Sequence, residues 1–144
     1  MPPAAPAVRR TFELFLIKPS HYDDDGYVIQ WFRSSIPSNT LAALYGLAHD
    51  CAQRRVLGDD VDIRITALDE TNARIDTAQI IARLSAANGF GMVGLVGVQT
   101  NQFPRAVDIG RPLRAAGIAT VAWTLASMPP QTSTAMQSIG DRNE

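Results

Sequence analysis

The sequence predicts an α/β domain with a parallel sheet and helices on both faces. Three observations carry this expectation. Short apolar runs of strand length recur along the chain, stretches with apolar residues three and four apart lie between them, and turn signals separate the two kinds of segment. The resulting order, β-α-β-α-β-α-β, implies right-handed crossovers and therefore parallel pairing. A chain of 144 residues, 46% of them hydrophobic, suffices for one core of ordinary size.

Each element has its own justification. Residues 1–10 are rich in Pro and Ala and end in Arg9-Arg10, so they read as a disordered leader without the apolar centre of a secretory signal. Phe12-Glu13-Leu14-Phe15-Leu16-Ile17, closed by Lys18-Pro19, is the first strand, apolar enough to be buried on both faces. Residues 20–39 read as an irregular segment holding His21, an Asp23-Asp24-Asp25-Gly26 turn, Tyr27, Trp31, Phe32 and Pro37. A loop of that length is expected to be functional or packed over something.

Ser38 or Asn39 caps the first helix, whose stripe is Leu41, Leu44, Tyr45, Ala48, Cys51 and Ala52 and which Gly58 closes. Val61, Ile63 and Ile65 alternate with polar residues, as in a strand near the sheet edge. The second helix starts at Asp76, with Gln79 completing a capping box and Ile75 packing on Ile80 as a hydrophobic staple, and it ends at Asn88-Gly89. Residues 92–98 form the third strand, where Gly94 and Gly97 point to close approach by another backbone or a ligand. Pro104 suits the first turn of the third helix; its stripe is Ala106, Ile109, Gly110 and Leu113, it ends at Gly117, and Pro112 is expected to kink or split it. Residues 118–123 are the fourth strand. The domain thus spans residues 11–124, and residues 125–144 read as an irregular or weakly helical tail.

Composition narrows the function. With 13 basic and 14 acidic residues interspersed, the net charge of -1 leaves no electrostatic footprint for nucleic acid or an anionic membrane. No apolar run approaches the roughly 18 to 20 residues of a membrane span. A lone Cys51 cannot form an internal disulfide or hold an iron–sulfur cluster, which points to the cytoplasm. Nucleotide-binding glycine motifs, a P-loop and a nucleophile elbow are missing from the sequence, so no catalytic centre is expected.

In an open parallel sheet, ligands bind beyond the carboxyl ends of the strands, which brings forward the loops after strands one and three. Gln99, Thr100 and Asn101 offer amide and hydroxyl groups where a strand end meets a helix start, and either Thr100 or Asn101 could instead merely cap that helix. His21 is placed to ligate a metal-centred cofactor, or to be structural. The triple aspartate reads as a solvated turn, since a receiver-type acidic pocket also needs an aspartate ending strand three, where Gln99 stands.

Taken together, Leu16-Ile17-Lys18-Pro19-Ser20-His21-Tyr22-Asp23, Ile36-Pro37-Ser38-Asn39 and Val96-Gly97-Val98-Gln99-Thr100-Asn101-Gln102-Phe103-Pro104-Arg105-Ala106 resemble the N-terminal domain of cobalamin-dependent radical S-adenosylmethionine proteins, over roughly residues 12–121. The resemblance implies a flavodoxin-like, or Rossmann-like, module, incomplete at its C-terminus. Such a module lays cobalamin across the carboxyl edge of its sheet and presents it to a separate radical S-adenosylmethionine catalytic domain or protein. It assigns cofactor contact to Ser20, His21, Gly97, Val98, Gln99, Thr100 and Asn101. Of the family's Asp-x-His-x-x-Gly motif only His21 is present, and the usual Gly-Gly turn after strand four is replaced by Val121-Ala122-Trp123-Thr124. Two rival readings remain open: a structural fragment of such a protein that binds no cofactor, and a receiver-like signalling domain.

Overall fold

A computed structural model describes residues 8–31 and 38–124. The expected leader and tail therefore lie largely outside the described residues, as do Phe32, Ile36 and Pro37. Four strands, β1 (Arg10–Lys18), β2 (Val61–Asp69), β3 (Gly91–Val98) and β4 (Thr120–Thr124), alternate with α1 (Asn39–Gln53), α2 (Thr77–Ala86) and α3 (Phe103–Ala115). Every strand pair is parallel and the order across the sheet is β2-β1-β3-β4. This is the flavodoxin-like α/β arrangement, and β2 is an edge strand, as its polar alternation predicts.

The chain leaves β1 toward β2 on one side and returns past β1 to β3 on the other. Right-handed crossovers then put α1 on one face and α2 with α3 on the opposite face. Side-chain alternation agrees with this placement. Phe15, Ile17, Val93 and Leu95 join Ile80 and Leu84 of α2 and Ile109 and Leu113 of α3 in one buried core, while the intervening Leu16 and Val96 are buried on the other side.

Local signals explain the helix on the main core. Asp76 caps α2 by accepting from the Gln79 N–H at 3.1 Å, and Ile75 and Ile80 both lie in the core. All four residues of the expected α3 stripe are buried, and α3 continues unbroken through Pro112 to Ala115. The expected split does not occur because the one carbonyl that loses its donor belongs to Asp108, an exposed residue that water can reach.

The other face is covered more thinly. No residue of α1 is buried, and its stripe is half-buried at Leu41, Leu44, Ala48, Cys51 and Ala52, with Tyr45 exposed. The helix also ends at Gln53 rather than at Gly58, because Arg55 turns the chain early with a φ of 49°.

One polar group runs through the core layer. Glu13, within the apolar run of β1, is 3% exposed and pairs with Arg83 of α2 at 2.7 Å and Arg64 of β2 at 2.9 Å. The Arg83 guanidinium also stacks over the Phe15 ring at 4.7 Å. A buried carboxylate held by two arginines stitches the sheet to α2, which a single apolar run cannot do.

Candidate functional site

The carboxyl ends of β1 and β3 are adjacent, since these strands pair from Glu13↔Gly91 to Ile17↔Leu95. The chain diverges here, to β2 in one direction and β4 in the other, so this edge is the topological switch point of the sheet.

The segment after β1 is more ordered than its composition suggests. Tyr22 and Val28 form an antiparallel bridge, the Ile29 N–H donates to the His21 carbonyl at 2.9 Å, and the Asp23 carboxylate accepts from the N–H groups of Asp25 at 3.0 Å and Tyr27 at 2.8 Å. Residues 20–31 are thus a small hairpin with the aspartates in its turn, and Tyr27 and Trp31 are exposed. Its base is anchored. The Trp31 N–H donates to the Thr71 carbonyl at 2.8 Å, and the Gln30 amide reaches the Glu70 and Ala73 carbonyls at 3.2 and 3.3 Å.

Glu70, one residue past β2, is the centre of this edge and is 1% exposed. It accepts the Ser20 N–H at 3.0 Å and a forked pair of contacts from Arg105, through Nε at 2.9 Å and Nη2 at 2.5 Å. Arg105 sits in the first turns of α3 and donates at 3.4 Å to the Tyr22 hydroxyl, which in turn donates to Asp108 at 2.5 Å. Hydrogen bonding to Glu70 raises the Arg105 pKa further above its already high ordinary value, against the opposing effect of burial, so the guanidinium is permanently charged. One buried carboxylate therefore ties together the hairpin, the end of β2 and the start of α3.

The residues singled out from sequence fall into two groups. Ser20 and Val98 are buried at 0% and 1% exposure. Both donors of Ser20 are used within the chain, its N–H by Glu70 and its hydroxyl by the Ile29 carbonyl at 2.5 Å, so it has none left for a ligand. Gln99, Thr100 and Asn101 are exposed together on the turn into α3. Neither Thr100 nor Asn101 caps the helix; the capping position is Gln102, a buried residue whose side-chain oxygen accepts the Gln99 N–H at 3.0 Å. His21 is half-buried, and its imidazole has no hydrogen-bond partner among the described residues.

Gly97 takes a φ of 65° and makes a bulge that shifts the β3–β4 register between Leu95 and Val98. The bulge turns Val98 into the α2–α3 core. A Cβ on Gly97 would meet the Thr40 side chain of α1 at 3.7 to 3.9 Å, so the neighbour this glycine faces is the first turn of α1.

What the arrangement offers is a shallow polar ledge. It has amide and hydroxyl groups on one loop, an imidazole without a hydrogen-bond partner among the described residues on the adjacent loop, and a framework behind both that is held by a buried ion pair. Among the described residues no group of three or more His, Cys, Asp or Glu is placed to hold a metal ion, and no helix is long and apolar enough to cross a membrane. Comparison with family models, with curated proteins and with solved structures finds no match to this chain.

Proposed function

We propose that this domain is a cobalamin-binding module, which holds the corrin over the carboxyl edge of its sheet and presents it to a separate radical S-adenosylmethionine domain or protein in the cytoplasm. The observation that carries the reading is the joint exposure of Gln99, Thr100 and Asn101 at the β1/β3 switch point, beside a loop whose His21 imidazole is unpaired among the described residues.

The residues present fit such a cofactor in part. A corrin ring is flat and edged with amides, so a shallow ledge of exposed amide and hydroxyl groups suits its periphery. His21, on the adjacent loop, would be the candidate to ligate the cobalt. When bound, the corrin supplies a cobalt centre able to carry a methyl group. The chain's own task would be to bind and orient: Gln99 and Asn101 would donate to the ring's edge and Thr100 would donate or accept beside them, on a turn that Gly97 and Val98 hold against α1 and the core. Catalysis belongs to the partner, since the lone Cys51 cannot supply the thiolates of a radical cluster.

One observation favours the rival reading of a structural domain without cofactor. The edge satisfies much of its own hydrogen bonding, with Gln102 closing the Gln99 N–H and Thr40 filling the space before Gly97. Mixing the purified chain with hydroxocobalamin and passing it through gel filtration separates the two. A binding module elutes coloured, with visible bands that report the axial ligand; colourless protein that is folded by circular dichroism establishes the structural reading.

A further inference from the structure

The two edges of the sheet are treated differently by the sequence. β2, at one edge, carries Asp62, Arg64 and Asp69, charges of the kind that deter edge-to-edge association. β4, at the other edge among the described residues, reads Thr-Val-Ala-Trp-Thr and carries none. Beside β4, on the face shared with α3, lies an open groove of about 570 Å³. Leu95, Thr120 and Ala122 lie beneath it, and its wall is the side of α3 where Phe103 and Val107 are exposed.

On the sheet side of α3, a Cβ at Gly110 would make ordinary contact with Leu95 at 3.8 Å and Thr120 at 3.9 Å. On the open side Phe103 and Val107 stand exposed one turn apart, and a helix laid alongside them takes an axis separation of about 8 to 10 Å. Two arginines, Arg111 and Arg114, line the same groove and are exposed. Arg111 has only a loose contact with Asp108 at 3.8 Å, and Arg114 has no acidic partner among the described residues. The groove is therefore apolar at its floor and positive along its rim.

We propose that this groove is a docking site for an amphipathic helix of a protein partner, with an apolar stripe seated on the exposed Phe103, Val107 and Ala122 and carboxylates facing Arg111 and Arg114. The charge on the rim selects the occupant. A second copy docked through this same face would bring arginines to arginines, whereas an acidic-flanked helix neutralises both. The proposal is independent of the cofactor reading, since it rests on the flank of the sheet and not on the ledge at its carboxyl edge.

The test uses the full chain labelled with nitrogen-15 and two synthetic helical peptides that share one leucine stripe, the first flanked by glutamates and the second by lysines. The glutamate peptide should shift the amide resonances of Gly110, Ala115 and Ala122, and the lysine peptide should not. Arg111→Glu with Arg114→Glu, both at exposed positions, should weaken the glutamate peptide about tenfold or more and transfer the preference to the lysine peptide. Equal binding of both peptides, shifts elsewhere on the surface, or no binding of the glutamate peptide would overturn the proposal. So would a concentration-dependent dimer abolished by the same double substitution, which would make a second copy the occupant.

Discussion

Replacing Arg105 with Ala tests whether the buried pair at the carboxyl edge is the anchor of that edge. The substitution removes the three guanidinium contacts to Glu70, from Nε at 2.9 and 3.1 Å and from Nη2 at 2.5 Å, and leaves a carboxylate 1% exposed with the Ser20 backbone N–H as its remaining partner. Breaking a buried pair from one side typically costs about 3 to 5 kcal/mol. The Arg105 side chain is itself 21% exposed, so water can enter where it stood, and the lower end, about 3 kcal/mol, is expected. For a domain of this size that corresponds to a melting temperature lower by about 12 °C. Thermal denaturation followed by circular dichroism measures it, with Arg105→Met, Glu70→Gln and the double variant completing the cycle. The double variant should be more stable than Arg105→Met alone, because it leaves no unpaired charge. Loss of less than about 1 kcal/mol in Arg105→Ala, the range of an exposed pair, together with no coupling in the cycle, would refute the anchoring role.

Three further outcomes are expected. Gln99→Ala with Asn101→Ala should weaken hydroxocobalamin binding about tenfold or more in an absorbance titration. Melting should hardly change, because both side chains are exposed. Leu95→Asp buries an unpaired carboxylate in the core between α2, α3 and β3, and urea unfolding should register a loss on the order of 3 kcal/mol or more. Gly91→Ala would drive a Cβ onto the Glu13 carbonyl oxygen and the Leu84 side chain, so it should destabilise by several kcal/mol, on the order of 2 to 4, although alanine is the smallest possible replacement.

Residues that fold by local rules were the legible ones. Parallel strands buried on both faces read as apolar runs, which is why β1 and β3 stand out in the sequence. The Asp76 cap and the stripe of α3 depend only on neighbours three or four positions away. The long-range pairs were not legible. Glu13 and Glu70 look like ordinary polar residues, and their burial depends on arginines 70 and 35 positions away in the chain. The fold rule does bring the end of β2 and the start of α3 to the same sheet edge, so Glu70 and Arg105 were within reach of it, but that rule does not choose a partner among the charged groups there. The helical period of α1 also overstated its burial, because a period tells which side faces the sheet and not how closely the helix is pressed to it.

The same pair bears on how the candidate ledge would work. His21 lies in the hairpin, one residue after Ser20, and that hairpin is fastened at its start by Glu70 and Ile29 and at its end by Thr71. Gln99 and Asn101 lie just before α3, whose first turns are fastened to the same Glu70 through Arg105. Both loops are thus set before any ligand arrives, and little chain entropy remains to be lost on binding. If the domain binds cobalamin as proposed, a preset edge with its interior already hydrogen-bonded would admit the ligand across its surface rather than between its strands. A flat molecule read at its rim would suit that edge, and the exposed Gln99 and Asn101, rather than the buried Ser20, would then decide affinity.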